Sequence, residues 1–275
     1  LDEWCPSGPD GLYVPMVICQ AWDPRLAASE IERCIGKGAR ALAFVDRPVS
    51  EGLPSFHSDA WDPIWSVLHD AGIPMCLHIG SGGFISPLND PLSPEVGRLV
   101  IAPFTAMASM IDLILSPVCH KFPDIKIVFS EAGIGWVPSF LERADRSTAR
   151  QSGWAEVYSR ALKPSEIFRR NMYVCMVEEP VGLSFHDLIG NDRILSETDY
   201  PHSDTTYPVV QAAFSELLRG IPNDVVEAVT HGNAEKIFGW KMADAALVDS
   251  PEVVAWRDEL ATNPHAAVGR EPLPV

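Results

Sequence analysis

Six short, unbroken apolar runs alternate with stretches of helical periodicity, and no other feature limits the fold of this chain as much. The runs are Leu12–Cys19, Ala41–Val45, Pro74–Ile79, Ile125–Ser130, Met172–Val177 and Arg193–Ser196. A strand with one wet face alternates polar and apolar side chains. A strand covered on both faces is apolar throughout, and in α/β proteins such strands run parallel with helices between them. Pro15 weakens the first run as a central strand, because proline cannot donate to a ladder.

The intervening stretches carry helix signals. Asp23-Pro24 offers an N-cap followed by a proline at the first helical position, and the helix it opens is expected to reach about Lys37 and stop at Gly38. Trp61, Ile64, Trp65 and Leu68 fall on one helical face that ends at Gly72. Further helices are expected from Pro94 to Leu115, around Val137–Ala144, and near Thr206–Leu218, Asp224–Val229 and Asn233–Phe238. The expected class is α/β. A barrel and an open doubly wound sheet both satisfy the pattern, and a closed barrel needs eight strands where six are visible. The domain reading is a barrel over 1–240 and a helical tail over 241–275, packed on the barrel.

The formal net charge of -16 excludes a basic groove and makes nucleic acid an unsuitable partner. No uninterrupted apolar run reaches the roughly 20 residues that cross a bilayer, so no membrane partner is expected. Cysteines at 5, 19, 34, 76, 119 and 175 form no CxxC pair and mostly lie in apolar runs. They read as buried free thiols of a reducing, cytoplasmic compartment. The N-terminal residues from Leu1 do not look like a signal peptide.

Active sites of parallel α/β folds lie at the C-terminal ends of the strands. Just past the six runs come Gln20, Trp22 and Asp23; Asp46 and Arg47; His78 and Ser81; Glu131 and Trp136; Glu178 and Glu179; Asp199 and His202. His78, Glu131 and Asp199 combine imidazole with carboxylate, a donor set that suits zinc or a similar divalent ion. Each also has a plainer reading: a hydrogen-bonded histidine, a helix cap at Glu131, an Asx turn at Asp199. Ser81-Gly82-Gly83 lacks phosphate-loop spacing and reads as a tight turn. No GxSxG elbow and no dinucleotide fingerprint occurs. His57, His69, His120, His186, His231 and His265 are read as solvated.

With Ile73–Gly80 (IPMCLHIG), Ile127–Asp145 (IVFSEAGIGWVPSFLERAD), Ile167–Val174 (IFRRNMYV), Ile194–Asp204 (ILSETDYPHSD) and Asn233–Gly239 (NAEKIFG), the chain resembles the amidohydrolase-related family, in the branch of aminocarboxymuconate-semialdehyde decarboxylase. The resemblance implies a distorted (β/α)8 barrel, with the first one or two strands absent from this chain. It implies one divalent metal ion, zinc first and manganese second. It makes His78 and Asp199 the ligands of the family's fifth and eighth strands. It implies hydrolysis or non-oxidative decarboxylation of a small carboxylated substrate. The family's barrels commonly pair, which leaves a homodimer open.

This chain departs from the family twice. The HxH or ExH pair of the first strand occurs nowhere in it, so that pair either precedes Leu1 or is lost. Glu131 stands where the decarboxylases carry a catalytic histidine. On this reading Glu131 and Asp199 are the catalytic residues, His78 and Asp199 the metal ligands, and Arg47, Trp136 and His202 the substrate contacts. The competing expectation is a metal-free barrel serving as a binding or scaffold protein.

Overall fold

The computed structural model describes residues 13–83, 92–151, 153–155 and 157–240. Within these residues six parallel strands form one sheet in chain order. They are β1 (Met16–Ile18), β2 (Ala41–Phe44), β3 (Met75–His78), β4 (Ile127–Ser130), β5 (Met172–Met176) and β6 (Ile194–Ser196). Each lies inside one of the expected apolar runs and is trimmed at its ends. The tail expected over 241–275 lies outside the described residues.

Local chemistry sets the helix ends. α1 (Pro24–Ile35) starts at Asp23, whose carboxylate accepts the N–H of Arg25 at 3.0 Å and of Leu26 at 3.1 Å. α2 (Asp62–Ala71) stops at Gly72, which takes the left-handed conformation that glycine adopts without a Cβ penalty. The helix expected from Pro94 to Leu115 is two: α3 (Glu95–Ile101) and α4 (Pro103–Leu115). Pro103 lacks the N–H needed to continue the ladder, so the hydrogen-bond pattern breaks at Ala102 although its backbone stays helical. α5 (Val118–Lys121) and α6 (Val137–Gln151) flank β4. α7 (Pro164–Asn171) leads into β5, and α8 (Pro180–Leu183) and α9 (His186–Ile189) follow it. α10 (Val210–Leu217), α11 (Asn223–Glu227) and α12 (Asn233–Phe238) come after β6.

Taken together, α3 and α4 span Glu95–Leu115, 21 residues holding an 18-residue window of mean hydropathy 1.7, by length and composition alone enough to cross a membrane. The interrupting Glu95, Arg98 and Asp112 kept it from reading as one apolar run. Part of that hydropathy serves the core: α4 buries Ala106, Met110, Leu113 and Ile114 there.

Strand alternation divides the sheet into two faces. Leu42, Phe44, Met75, Leu77, Ile127, Phe129 and Val174 face the helices and form the main core with Trp61, Trp65, Leu68, Met110 and Phe168. Phe44 meets Trp61 edge-to-face at 5.1 Å. Burying each such large side chain contributes about 1.5–3 kcal/mol. The opposite face carries Ala41, Cys76, Val128, Cys175 and Leu195, closed over by Ile237 of α12. Asn233 at the start of α12 fixes this plug, donating to the carbonyls of Asn191 and Ile194, each at 2.8 Å.

The second face is the inside of an incomplete barrel. Among the described residues, β1 and β6 are both edges, where eight strands would close the ring. Met16 pairs in register with Ala41 and so shares the inner face, yet it is 45% exposed, and Ile18 is 84% exposed. The edge position of β1 also accommodates Pro15, whose carbonyl still accepts the N–H of Arg40.

Candidate metal centre

The inner face changes character along the strands. Its lower levels are apolar, but the next inward position on β3 is His78, which lies opposite Ser130 of β4. Two residues beyond Leu195 of β6 the same parity gives Glu197. Ionisable groups therefore gather at the C-terminal mouth.

Two backbone reversals complete the cluster. Glu131, directly after β4, and Asp199, shortly after β6, both have φ of +54°, left-handed values that a non-glycine residue adopts at a cost of about 1–3 kcal/mol. Glu131 Oε1 lies 2.9 Å from His78 Nε2. His78 Nδ1 lies 2.8 Å from the Ile79 carbonyl, which can only accept, so Nδ1 bears a proton and orients the ring. Asp199 Oδ2 lies 2.5 Å from His202 Nδ1. One ligand atom from each of Glu131, Asp199 and His202 lies within 4.8 Å of the others.

The electrostatics follow from crowding. Burial pushes the Glu131 carboxyl above the usual carboxylate range, and the neighbouring Asp199 adds to this against the opposing pull of His78. Glu197 is raised chiefly by burial too, although Cys175 and the Glu131 N–H favour its charged form. Burial depresses the His78 imidazole, but the Ile79 carbonyl and the Glu131 carboxylate outweigh it and the net shift is upward. Exposed His202 is raised by its bond to Asp199.

Carboxylates hold the two turns that carry this chemistry. Asp46, at the end of β2 and only 1% exposed, accepts the N–H of Gly80 at 3.2 Å, the N–H of Gly82 at 2.5 Å and the Ser81 hydroxyl at 3.2 Å. It thus braces the turn after His78. Glu179, after β5, accepts the N–H of Ile134 and of Gly135, both at 2.9 Å, and braces the turn after Glu131. Glycine is required around it: a Cβ on Gly133 would come within 2.5 Å of Glu179 Oε1, and one on Gly182 within 2.8 Å of Oε2. Glu197 accepts the N–H of Glu131 itself at 2.8 Å.

This donor set fits a divalent cation. Its converging atoms are nitrogen from His202 and oxygen from Glu131 and Asp199, with His78 Nε2 adjoining through Glu131, the mixture that zinc and manganese accept. Two carboxyls pressed together in a partly buried mouth need a shared proton or a cation. His78 donates through Nδ1 to a backbone carbonyl, which orients Nε2 towards the cluster as a ligating imidazole requires. A cavity of about 300 Å³ adjoins the cluster, lined by Ile79, Leu99, Pro103 and Val177 together with the acids Glu131, Glu178, Glu179, Asp199 and Asp204.

The structure brings four of the expected site residues together: His78, Glu131, Asp199 and His202. Arg47 and Trp136 lie elsewhere. Arg47 donates to the Gly82 carbonyl at 3.0 Å and the Ser50 hydroxyl at 3.1 Å, on the wall of a different cavity. Trp136 donates to the Ala132 carbonyl at 2.8 Å and packs edge-on against Phe140. Glu197 was not singled out from the sequence, although its period-two spacing from Leu195 marks it as inward-facing. The solvated reading holds for exposed His57, which pairs with Asp112 at 2.7 Å, and needs amending at His69, part-buried against Phe122, and at the mostly buried His186, which lies 2.7 Å from Asn191 Oδ1. His265 lies outside the described residues.

Comparison with known proteins agrees with this architecture. A family model described as amidohydrolase matches residues 1–240. A gamma-resorcylate decarboxylase of Polaromonas sp. (strain JS666 / ATCC BAA-500) is 26% identical over 245 residues, covering 78% of this chain and 67% of its own length. The crystal structure of an amidohydrolase from Mycobacterium avium subsp. paratuberculosis K-10 superposes with a TM-score of 0.71 at 21% identity, covering 86% of this chain and 62% of that one. A dihydroxybenzoic acid decarboxylase from Polaromonas sp. JS666, crystallised with manganese and the inhibitor 2-nitroresorcinol, superposes with a TM-score of 0.60 at 20% identity, covering 85% and 68% of the two chains. The chain therefore spans about two thirds of the length of these relatives.

Proposed function

We propose, for a chain that belongs to the amidohydrolase family, a divalent-metal-dependent enzyme that removes carbon dioxide from a small carboxylated aromatic substrate. The observation that carries this is the convergence of His78, Glu131, Asp199 and His202 at one strand-end mouth. The decarboxylase relatives, one of them holding manganese, support the choice of reaction and of ion.

In this reading His78 and Asp199 hold the metal, and His202, tied to Asp199, holds or orients it. When bound, the ion supplies the positive charge that lets an anionic substrate approach this acidic mouth, and it polarises the substrate's oxygens. Glu131 handles the proton. Loss of carbon dioxide leaves a carbon that must be protonated, and a carboxyl held above its usual range carries a proton nearer neutral pH. Glu197 keeps the Glu131 backbone in its reversed conformation. Ile79, Leu99, Pro103 and Val177 offer the apolar wall on which a ring would rest. The finer assignments are proposals of the same kind: zinc or manganese as the ion, a small molecule as the partner, and a reducing, cytoplasmic setting suited to unpaired buried thiols.

The test has two parts. Protein freed of metal is titrated with manganese and zinc and the stoichiometry measured; His78→Ala is expected to lower the affinity by at least tenfold. The loaded protein is then assayed for carbon dioxide release from 2,6-dihydroxybenzoate and 5-carboxyvanillate and for cleavage of amides and lactones. No stoichiometric metal would leave the metal-free scaffold reading in its place, and hydrolysis without carbon dioxide release would replace the lyase with a hydrolase.

A further inference from the structure

A second and larger cavity, of about 1070 Å³, lies between the segment after β2, α4 and residues near Tyr158. Among the described residues none lines both it and the cavity beside Glu131. Its walls are apolar at Val49, Ile111, Leu115 and Tyr158.

The charges in this lining are unequally matched. Asp112 is paired with His57, and Asp59 with Lys121 at 3.0 Å. Asp46 is committed to the Gly80 and Gly82 amides and the Ser81 hydroxyl. Arg47 differs. Its guanidinium meets two neutral acceptors, Ser50 Oγ and the Gly82 carbonyl, and its Nε is buried with no acceptor. A guanidinium is charged at every physiological pH and presents five N–H donors in a fork suited to a carboxylate. Among the described residues every acid in the wall has its partner, and Arg47, the one cation there with only neutral partners, sits beside apolar surface.

We infer that this cavity is a separate binding site for an amphipathic monocarboxylate, its carboxylate on Arg47 and its apolar body against Ile111, Leu115 and Tyr158. An uncharged analogue leaves the guanidinium without its anion and binds weakly. A second acidic group has no cation to meet, because His57 and Lys121 are already paired. Arg47 also holds the Gly82 carbonyl, so the occupant sits one hydrogen bond from the turn that follows His78.

Phenylacetate, with phenylacetamide as its neutral counterpart, tests this on metal-free protein by calorimetry and ligand-observed NMR. Phenylacetate is expected to bind at millimolar concentrations or below and phenylacetamide at least tenfold more weakly, the loss of a charge-assisted pair. Arg47→Gln is expected to reduce phenylacetate affinity at least tenfold, Leu115→Trp to weaken it by crowding the apolar wall that the ring rests on, and Glu131→Gln to leave it unchanged. The inference is overturned if phenylacetate does not bind, if phenylacetamide binds equally well, or if Glu131→Gln abolishes binding, which would place the ligand at the metal centre. Should Arg47→Gln fail to fold by circular dichroism, Leu115→Trp decides: full affinity in that variant overturns the site. Working without metal keeps the result independent of whether the decarboxylase reading stands.

Discussion

Replacing Glu179 by glutamine isolates the brace under the Glu131 turn. The side chain keeps its shape, but the two amides of Ile134 and Gly135 then face a neutral acceptor or, with the amide reversed, another donor. A hydrogen bond to a charged group contributes about 1.5–3 kcal/mol and a neutral one about 0.5–1.5 kcal/mol, so two bonds give a difference of about 2 kcal/mol; partial exposure of Glu179 keeps the figure at that lower end. For a domain of this size each kcal/mol moves the melting midpoint by about 2–4 °C, so a fall of about 4–8 °C is expected. The turn that relaxes is the one that sets Glu131 beside His78 and Asp199, and manganese affinity should therefore fall with the midpoint. Thermal unfolding by circular dichroism measures the first effect and manganese titration followed by electron paramagnetic resonance the second. Gly133→Ala attacks the same contact from the other side and should reproduce both. A Glu179→Gln protein that melts with the parent and binds manganese equally well would refute the idea that this carboxylate holds the turn.

Other predictions concern titration and access. Glu131 is raised above an ordinary carboxylate, so folded protein retains a proton that unfolded protein has released; in metal-free protein its contribution to stability is full below the unfolded value and lost as pH rises through the raised one. Melting midpoints of wild type and Glu131→Gln over this window should diverge, the wild type losing more as pH rises. Protonation of Glu131 removes a negative charge from beside the metal, so manganese affinity of the wild type should weaken as pH falls, beginning above the usual carboxylate range, and Glu131→Gln should blunt that dependence. Burial pushes the thiols of Cys76 and Cys119 up to about 12 and that of Cys19 to about 11. These three should react with iodoacetamide at mildly alkaline pH only after unfolding, as peptide mass mapping can show.

The strand set was legible because a strand covered on both faces leaves an unbroken apolar run, as in Met75–His78 and Ile127–Ser130. The break at Ala102 was written in Pro103 but outweighed by the apolar periodicity on either side. The strand-end rule located His78, Glu131 and Asp199, yet nothing in their spacing foretold that Glu131 and Asp199 would share a left-handed backbone, a conformation rarely assigned to such residues. Arg47 satisfied the same rule and went to a different cavity, because a side chain's direction past a strand end depends on the loop around it. Asp46 and Glu179 were among the strand-end acids, but their work is done on backbone amides, which a sequence does not display.

The reversed backbones at Glu131 and Asp199 have a consequence for how this sequence can drift. Glycine would occupy either position without strain, and asparagine would tolerate it better than most residues, so variants that lose the carboxylate gain backbone comfort. A library screened for thermal robustness alone should therefore enrich glycine at these two codons, whereas one screened for turnover should purge it. The opposition between those two enrichments would mark the residues that selection retains for chemistry at the expense of folding.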